Sequence, residues 1–301
     1  MIRSAVLAVT ERSLTKKIVT DTAVGRAVAH RFVAGDNLEA AVDVARTLNA
    51  DGMAVSLDHL GEHVASVEDA ASARDSYLAC LGEISSKGLD ANIAVKLTQL
   101  GMGLDDSVAA QHLDTIAAAA SEASTTVTID MEESTHTSTT LALYEAAQKK
   151  HGNLGVAVQA YLMRTADDID RISALGGHIR LCKGAYMESA DVAFQTAEEV
   201  NASFDRLSDQ LMGYADVLPA IASHDDGRIN RVIRAASGRP GDWEFQMLYG
   251  IRRDRQVELV GLGLKMRIYV PYGEAWYPYL TRRMAERPAN LMFFARALVG
   301  R

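Results

Sequence analysis

The sequence has few cysteines, which excludes a domain stabilised by several disulfides and a domain built around a zinc site. Its 301 residues include only Cys80 and Cys182. Two cysteines this far apart provide neither a disulfide framework nor a zinc site, and they fit a reducing compartment. The chain also lacks a low-complexity linker or a break in composition that would divide it into separate domains.

Long apolar runs and dense basic runs are also missing. The apolar start, Met1 to Leu7, meets Glu11 and Arg12 at once, which is typical of neither a signal peptide nor a spanning helix. No later apolar run reaches the roughly 20 residues that cross a bilayer. The net charge of -8 disfavours phosphate backbones as partners. We therefore expect no transmembrane segment, no nucleic-acid partner and a cytoplasmic location, and we leave open peripheral association with the inner membrane face.

The chain does contain a regular alternation of strand-like and helix-like segments. Hydrophobic residues make up 48% of it, enough for a large core. Eight short apolar or β-branched runs have the length and content of strands, at residues 53–57, 93–97, 127–130, 155–159, 178–182, 218–222, 243–248 and 266–270. Eight such units predict an α/β fold, a (βα)8 TIM-like barrel. A doubly wound open sheet is the alternative, but no early glycine fingerprint of the dinucleotide-binding type supports it.

Helix signals fill the intervals between these runs. Asp36–Glu39 and Ser66–Asp69 resemble capping boxes, and Gly152 is a plausible helix stop. We expect helices over Thr137–Lys150 and Asp191–Tyr214. The sequence thus predicts a single domain over 1–301, with extra helices before the first strand (an N-terminal segment of about 1–50), a barrel over about 51–301 and a last helix over the barrel mouth.

Polar residues stand at the predicted strand ends, where barrel enzymes place catalytic groups. They are Asp58, Lys96, Asp130, Gln159, Arg180 with Lys183, His224, Gln246 and Tyr269. A charge in an apolar strand is costly unless it is paired or bound to a ligand. A lone charge of this kind is more often a structural ion pair, but several at one mouth favour a site. Because no Ser/His/Asp order, HExxH helix or dense carboxylate cluster is evident, the set favours a small anionic substrate beside a cofactor.

The last helix carries two adjacent arginines. Tyr279, one of Arg282 and Arg283, and Glu286 share a helix face. Guanidinium groups suit bidentate recognition of a carboxylate. From spacing alone, a solvated basic pair is an equally good interpretation.

Several motifs then resemble those of the proline dehydrogenase family. They span nearly the whole chain in order: residues 57–62 (LDHLGE), 95–98 (VKLT), 180–186 (RLCKGAY), 222–225 (ASHD), 244–250 (EFQMLYG), 267–273 (RIYVPYG) and 279–286 (YLTRRMAE). Met187 departs from the pattern, because some relatives carry an aromatic residue there. The short chain resembles the monofunctional bacterial form, without the aldehyde dehydrogenase and DNA-binding modules of the fused relatives.

The resemblance implies an enzyme that oxidises L-proline to Δ1-pyrroline-5-carboxylate. In that family a hydride passes from the proline ring to N5 of a non-covalent FAD, and a membrane quinone takes the electrons. Site residues follow from the same resemblance. Lys96, Tyr269, Tyr279, Arg282 and Arg283 would bind the substrate, and Glu62 would act as a gate with Arg282. Asp130 and Arg180 would be catalytic, Arg180 near flavin N5. Cofactor contacts would come from Met131, Gln159, Arg180, Lys183, Gly184, Ala185, Ser223, His224, Gln246 and Glu286.

Two other functions remain open at this stage. One is a different FAD barrel reductase, such as a folate reductase, although an arginine pair sized for a small amino acid disfavours a large pterin. The other is a non-catalytic, proline-sensing flavoprotein, which the negative charge and the missing DNA-binding module disfavour.

Overall fold

The computed structural model describes residues 29–239 and 241–280, and within them eight parallel strands close into a barrel in chain order. The strands are β1 Ala54–His59, β2 Ala91–Val95, β3 Val127–Ile129, β4 Leu154–Gln159, β5 Gly177–Cys182, β6 Val217–Ala222, β7 Glu244–Leu248 and β8 Met266–Tyr272. Each strand pairs with the next, and β1 closes the ring against β8 in a register from Ala54↔Arg267 to His59↔Tyr272. The predicted (βα)8 barrel is confirmed, and all eight strands overlap the runs expected from the sequence.

Helices follow the strands and cover the outside of the barrel. They are α1 Leu38–Ala50, α2 Val67–Lys87, α3 Asp106–Glu122, α4 Thr137–His151, α5 Thr165–Ser173, α6 Ala197–Gly213, α7 Asp226–Ala235 and α8 Arg253–Gly261, with a short 3-10 turn at Ser134–His136. Their buried apolar faces and the outward-facing strand residues form the main core. None of the helices among the described residues is long and apolar enough to cross a bilayer.

Helix boundaries follow the capping residues, and one of them corrects a prediction. Asn37 and Ser66 cap α1 and α2 where the sequence predicts helix starts, and Gly152 ends α4 in the left-handed region. The helix expected over Asp191–Tyr214 instead begins at Ala197. Thr196 caps it, and its hydroxyl and the Glu199 carboxylate form a reciprocal capping box that fixes this start.

The ends of the described chain pack against each other beside β1. A helix begins at Trp276 and is described to Leu280. Its buried side chains form a small cluster with Ala29, Phe32, Val33 and Leu60, the residue after β1. Residues 1–28 of the segment in which extra N-terminal helices are predicted and most of the predicted last helix lie outside the described residues, and the single-domain assignment stays a prediction.

The inside of the barrel is polar below its mouth. Ser56 donates to Asn92, whose amide donates to Thr128, and Thr128 is hydrogen-bonded to Nε2 of His178. Gly155 admits the His178 ring, since a Cβ on Gly155 would lie 2.2 Å from it. Burial lowers the pKa of His178 to about 3, so this imidazole is neutral. Hydrogen bonds between side chains therefore organise the lower barrel, where many barrels use branched apolar residues.

Candidate active site

Five charged or phenolic residues from five strands meet at the C-terminal end of the barrel. Asp58 belongs to β1, Lys96 and Asp130 directly follow β2 and β3, Arg180 lies in β5 and Tyr269 in β8. Side chains two apart in a strand share a face, and this period turns all five inward. The structure thus brings together five of the polar strand-end residues that the sequence singled out, including Asp58, to which it assigned no role.

Lys96 is at the centre of this cluster. Its ammonium lies 3.1 Å from Asp58 Oδ1, 3.4 Å from the Tyr269 hydroxyl and 3.5 Å from Asp130 Oδ2. Burial alone would lower the pKa of Lys96, but the charges of Asp58 and Asp130 outweigh it and raise that pKa. Lys96 is therefore a permanent cation at neutral pH, with one acceptor for each of its three hydrogens.

Asp130 joins Lys96 to Arg180. One oxygen of its carboxylate accepts from Arg180 Nη1, and the other accepts from the Tyr269 hydroxyl at 2.7 Å. The Arg180 guanidinium also stacks on the Tyr269 ring, with Cζ 5.1 Å from the ring centroid. Burial and the nearby Asp130 raise the pKa of Tyr269, which keeps its hydroxyl protonated as a donor. The tyrosine consequently holds both its ring and its hydroxyl against the charged groups.

The charges of this cluster balance. Two cations, Lys96 and Arg180, face two carboxylates, Asp58 and Asp130, and all but Asp130 are at least nine-tenths buried. A buried cluster without net charge avoids the large cost of isolated ions. An anionic substrate would add one negative charge to it, so further cationic groups are needed at the mouth for tight binding.

A second layer of polar residues supports Arg180 from below. Arg180 Nε donates to Gln246 Oε1 at 2.6 Å, and Gln246 Nε2 donates to Glu244 at 2.6 Å. Arg267 Nε also donates to Glu244, at 2.8 Å. Sequence reasoning assigned Gln246 to the site but gave no role to Glu244, Arg267 or Asp58. The available signal was a charged residue two positions from another polar residue in a mostly apolar strand, as in Glu244 and Gln246, a spacing that turns both side chains to one face.

The residues expected to bind the cofactor's phosphates lie after β5 and β6. Lys183 donates to Asn201 and, at 2.8 Å, to Asp225, so two of its three hydrogens are used. The Ser223 hydroxyl accepts from the Asp225 amide. The His224 imidazole accepts from the Leu248 amide through Nε2. These contacts fix a cation, a hydroxyl and an imidazole on neighbouring strand ends.

Gly184 follows Lys183 in a backbone conformation that needs glycine. Its φ is +113°, and a Cβ there would lie 2.3 Å from the Tyr161 ring. Ala185, half-buried, comes next in the chain. The turn after β5 therefore presents backbone without side chain beside a fixed ammonium, an arrangement suited to an approaching phosphate.

Gln159 and Met131 complete the described cofactor-side residues. Gln159 Nε2 donates to the Glu132 carbonyl at 2.9 Å, and Met131 is buried beside it after β3. The side-chain amides of Gln159 on β4 and Gln246 on β7, the Arg180 cation and the Lys183 turn after β5 lie at the same end of the barrel. This set fits a flavin ring next to a diphosphate, and so these residues fit the FAD that the sequence resemblance implies.

Several predicted site residues are not fully placed. Arg282, Arg283 and Glu286 lie outside the described residues, and with them the predicted pairing of Glu62 with Arg282. Tyr279 is 6% exposed and packs in the cluster beside β1, and Glu62 is half-buried after β1. The contribution of the arginine pair stays a prediction.

One group of described residues has atoms near enough to hold a metal ion. His63, Glu132 and Glu133 offer ligand atoms within 4.8 Å of one another. Glu132 already accepts from the amide and the hydroxyl of Thr98, and His63 Nε2 lies 3.4 Å from Glu133 Oε1. Hydrogen bonds and an ion pair account for this group, and we assign no metal to it.

The fold and the charged residues at its mouth define a barrel enzyme of the (βα)8 class. The sequence model of the family described as proline dehydrogenase matches residues 41–296. The chain is 39% identical over 274 residues to proline dehydrogenase 1 of Bacillus subtilis strain 168, covering 90% of both. It is 34% identical over 305 residues to the proline dehydrogenase of Deinococcus radiodurans, covering 99% of this chain and 97% of that one. The chain therefore belongs to the proline dehydrogenase family.

Solved structures share the fold. Proline utilization A from Bdellovibrio bacteriovorus, inactivated by N-propargylglycine, superposes with a TM-score of 0.81 at 22% identity over 87% of this chain. Proline utilization A from Bradyrhizobium japonicum gives a TM-score of 0.77 at 23% identity. The present chain spans about a third of the length of those two chains, 33% and 32%.

Proposed function

We propose that this chain oxidises L-proline to Δ1-pyrroline-5-carboxylate with bound FAD and passes the electrons to a membrane quinone, the first step of proline catabolism. The observation that carries this proposal is the buried Lys96–Asp130–Arg180 cluster at the barrel mouth of a proline dehydrogenase family member. The cluster supplies cations and a phenol, which suit a small amino acid next to an electron-accepting ring.

Lys96 would hold the proline carboxylate. Its contacts with Asp130 Oδ2 and the Tyr269 hydroxyl, at 3.5 and 3.4 Å, are long for charge-assisted hydrogen bonds. A carboxylate can take the place of those two acceptors while the 3.1 Å contact with Asp58 keeps the ammonium in position. Arg282 and Arg283 would supply the additional positive charge that the balanced cluster needs, and Tyr279 and Tyr269 would limit the size of the ring.

Arg180, Asp130 and Gln246 would organise the reacting side of the site. When bound, FAD supplies the chemistry of accepting two electrons from the carbon beside the proline nitrogen. Arg180 holds a positive charge where negative charge develops, and Asp130 fixes the direction of its guanidinium. Gln159, with Met131 at its side, would bind the flavin edge. Lys183, Gly184, Ala185, Ser223 and His224 would bind the ribityl and diphosphate parts, and Glu286 would contribute from the last helix.

The proposed location follows from the electron acceptor. A quinone dissolved in the bilayer requires that a cytoplasmic enzyme reach the inner membrane face. We therefore place the reaction in the cytoplasm, with peripheral contact at that face. Flotation of the purified chain with lipid vesicles, with and without proline, tests this placement.

Anaerobic spectroscopy of the purified FAD-loaded chain tests the reaction itself. Addition of L-proline should bleach the flavin absorption, and a soluble quinone analogue should restore it. A chain that binds proline without bleaching would be a proline-sensing flavoprotein, and one bleached by a reduced pterin but not by proline would be another reductase. Either result refutes the proposal.

The arginine pair has its own test. Arg282→Met should raise the KM for proline by about 10- to 100-fold, since a charged hydrogen bond contributes about 1.5–3 kcal/mol, and leave the flavin spectrum intact. Arg46→Met is the matched control, because Arg46 is an exposed arginine on α1. An unchanged KM for Arg282→Met would refute the carboxylate clamp.

A further inference from the structure

Gln246 can support Arg180 in only one orientation of its amide. The Arg180 Nε–H is a donor, so it needs the amide oxygen, and the contact is 2.6 Å. If the amide turned by 180°, two donors would face each other and the guanidinium would lose that support. Something must therefore hold the amide nitrogen on the opposite side.

Glu244 is that group. It lies two residues before Gln246 on β7, one layer deeper in the barrel, and its side chain is 9% exposed. Glu244 Oε1 accepts from Gln246 Nε2 at 2.6 Å and from Arg267 Nε at 2.8 Å. An ionised carboxylate only accepts hydrogen bonds, so Glu244 and Arg180 together permit one amide orientation.

The ion pair with Arg267 keeps Glu244 ionised. Burial alone would raise the pKa of Glu244, but Arg267 and the hydrogen bonds outweigh it and lower that pKa. Arg267 is fixed in turn, because its Nη1 donates to the Val55 carbonyl of β1 at 3.0 Å. A chain of contacts therefore runs from the closing seam of the barrel to the guanidinium at its mouth.

We propose that Glu244 is a positioning residue of the reaction: it locks the Gln246 amide and thereby holds Arg180 in its reactive orientation. This role rests on the proposed function. Glu244 would act from the layer of side chains below the substrate. The remaining guanidinium contacts, Nη1 with Asp130 and Nη2 with Ser56 at 3.5 Å, leave Gln246 as the partner of Nε among the described residues. When the Gln246 amide is free to turn, Arg180 loses its support at Nε while Asp130 and Ser56 still hold Nη1 and Nη2, so the guanidinium can tilt away from its reactive orientation.

The test removes both members of the buried pair, so that no isolated charge remains. In Glu244→Met/Arg267→Met, proline-driven flavin reduction in anaerobic stopped flow should slow by about 10- to 100-fold, the scale for misplaced catalytic groups, with less than about a threefold change in KM. The midpoint potential of the bound flavin should fall, because a displaced Arg180 stabilises the reduced ring less. Glu244→Gln keeps an acceptor oxygen and should retain most of the wild-type rate.

A double-mutant cycle separates positioning from general packing. Gln246→Met should slow flavin reduction as much as Glu244→Met/Arg267→Met does. Combining all three substitutions should slow it little further. If the rate losses of Gln246→Met and Glu244→Met/Arg267→Met multiply in the triple variant, the inference is wrong. A wild-type rate in Gln246→Met would also overturn it, and that single variant decides the question even if Glu244→Met/Arg267→Met fails to fold. Glu145→Met/Arg171→Met, an ion pair of 2.7 Å between α4 and α5, is the control and should leave the rate unchanged.

Dye-coupled reductive titration makes the two proposals separable. It measures the flavin potential without proline. If proline does not bleach the wild-type flavin, the proposed function fails, and an altered potential in the pair variant still supports the lock. If proline bleaches the wild type and the pair variant matches it in rate and potential, the lock alone fails.

Discussion

Replacing Lys96 with methionine should expose how much the mouth depends on paired charges. Asp58 is 0% exposed, and Lys96 is its hydrogen-bond partner among the described residues, at 3.1 Å from Oδ1. Oδ2 has no partner within the same described ranges. Lys96→Met therefore strands a buried carboxylate, while Asp130 keeps Arg180 and Tyr269.

The size of the effect follows from the geometry. At 3.1 Å, a pair of unit charges interacts with about 5 kcal/mol at an effective dielectric constant of about 20. Removing one partner of a buried pair costs about 3–5 kcal/mol, so we expect Lys96→Met to lose about 3–4 kcal/mol of unfolding free energy.

Urea denaturation measures this deficit, and a double variant provides the matched control. Lys96→Met/Asp58→Asn removes both charges and should recover at least half of the lost stability. It should still show a KM for proline raised by about 10-fold or more, since the carboxylate loses a charged donor worth about 1.5–3 kcal/mol. If Lys96→Met costs less than about 1 kcal/mol, or if the double variant is no more stable than the single one, the paired-charge account of the mouth is wrong.

Three further changes test particular contacts. Burial lowers the pKa of His178 to about 3, so stability is lost as pH falls from about 6.5, the unfolded pKa, towards about 3 and the unfolded chain takes up the proton first. His178→Gln should therefore flatten the acid side of the stability profile measured by urea denaturation. Gly184→Ala should weaken FAD retention, since at φ +113° a Cβ would lie 2.3 Å from the Tyr161 ring. The control Gly88→Ala, with open space at φ +59°, should lower the free energy of unfolding by only about 1 kcal/mol. Equal losses of stability and of bound flavin in the two variants, by calorimetry and flavin absorbance, would contradict this. Thr196→Ala should cost about 1 kcal/mol by removing the cap of α6, and an unchanged melting temperature would count against the capping box.

The strands were predictable because their chemistry is local. A parallel strand buried on both faces needs a short run of apolar or β-branched residues, and each of the eight runs overlaps an observed strand. Helix starts depended on single caps, and there the sequence was less informative. The stretch from Asp191 to Thr196 is compatible with helix by composition, but the Thr196–Glu199 box stops the helix from extending into it.

The sequence predicted which polar residues stand at the strand ends of the barrel mouth, but not the contacts of the layer beneath them. Lys96, Asp130, Arg180 and Tyr269 stand at strand ends, where a polar residue has an evident reason to be. Its spacing of two from Gln246 places Glu244 on the inner face of β7, but its ion pair with Arg267 of β8 depends on barrel register and could not be assigned in the same way. Pairings between strands are set by closure of the barrel, and no spacing within one strand encodes them.

The polar barrel interior explains why the mouth can hold so many buried charges. The two cations of the cluster are each held by partners from other strands: Lys96 by Asp58, and Arg180 by Asp130 and Gln246. Gln246 is held in turn by Glu244, two residues earlier on the same strand. Barrel closure fixes these partners in advance, so little reorganisation is needed when a substrate arrives. An apolar interior would leave the Arg180 Nε–H without the acceptor that Gln246 supplies from below. The hydrogen-bonded layer beneath the mouth therefore makes the orientation of the Arg180 guanidinium depend on contacts across the whole barrel.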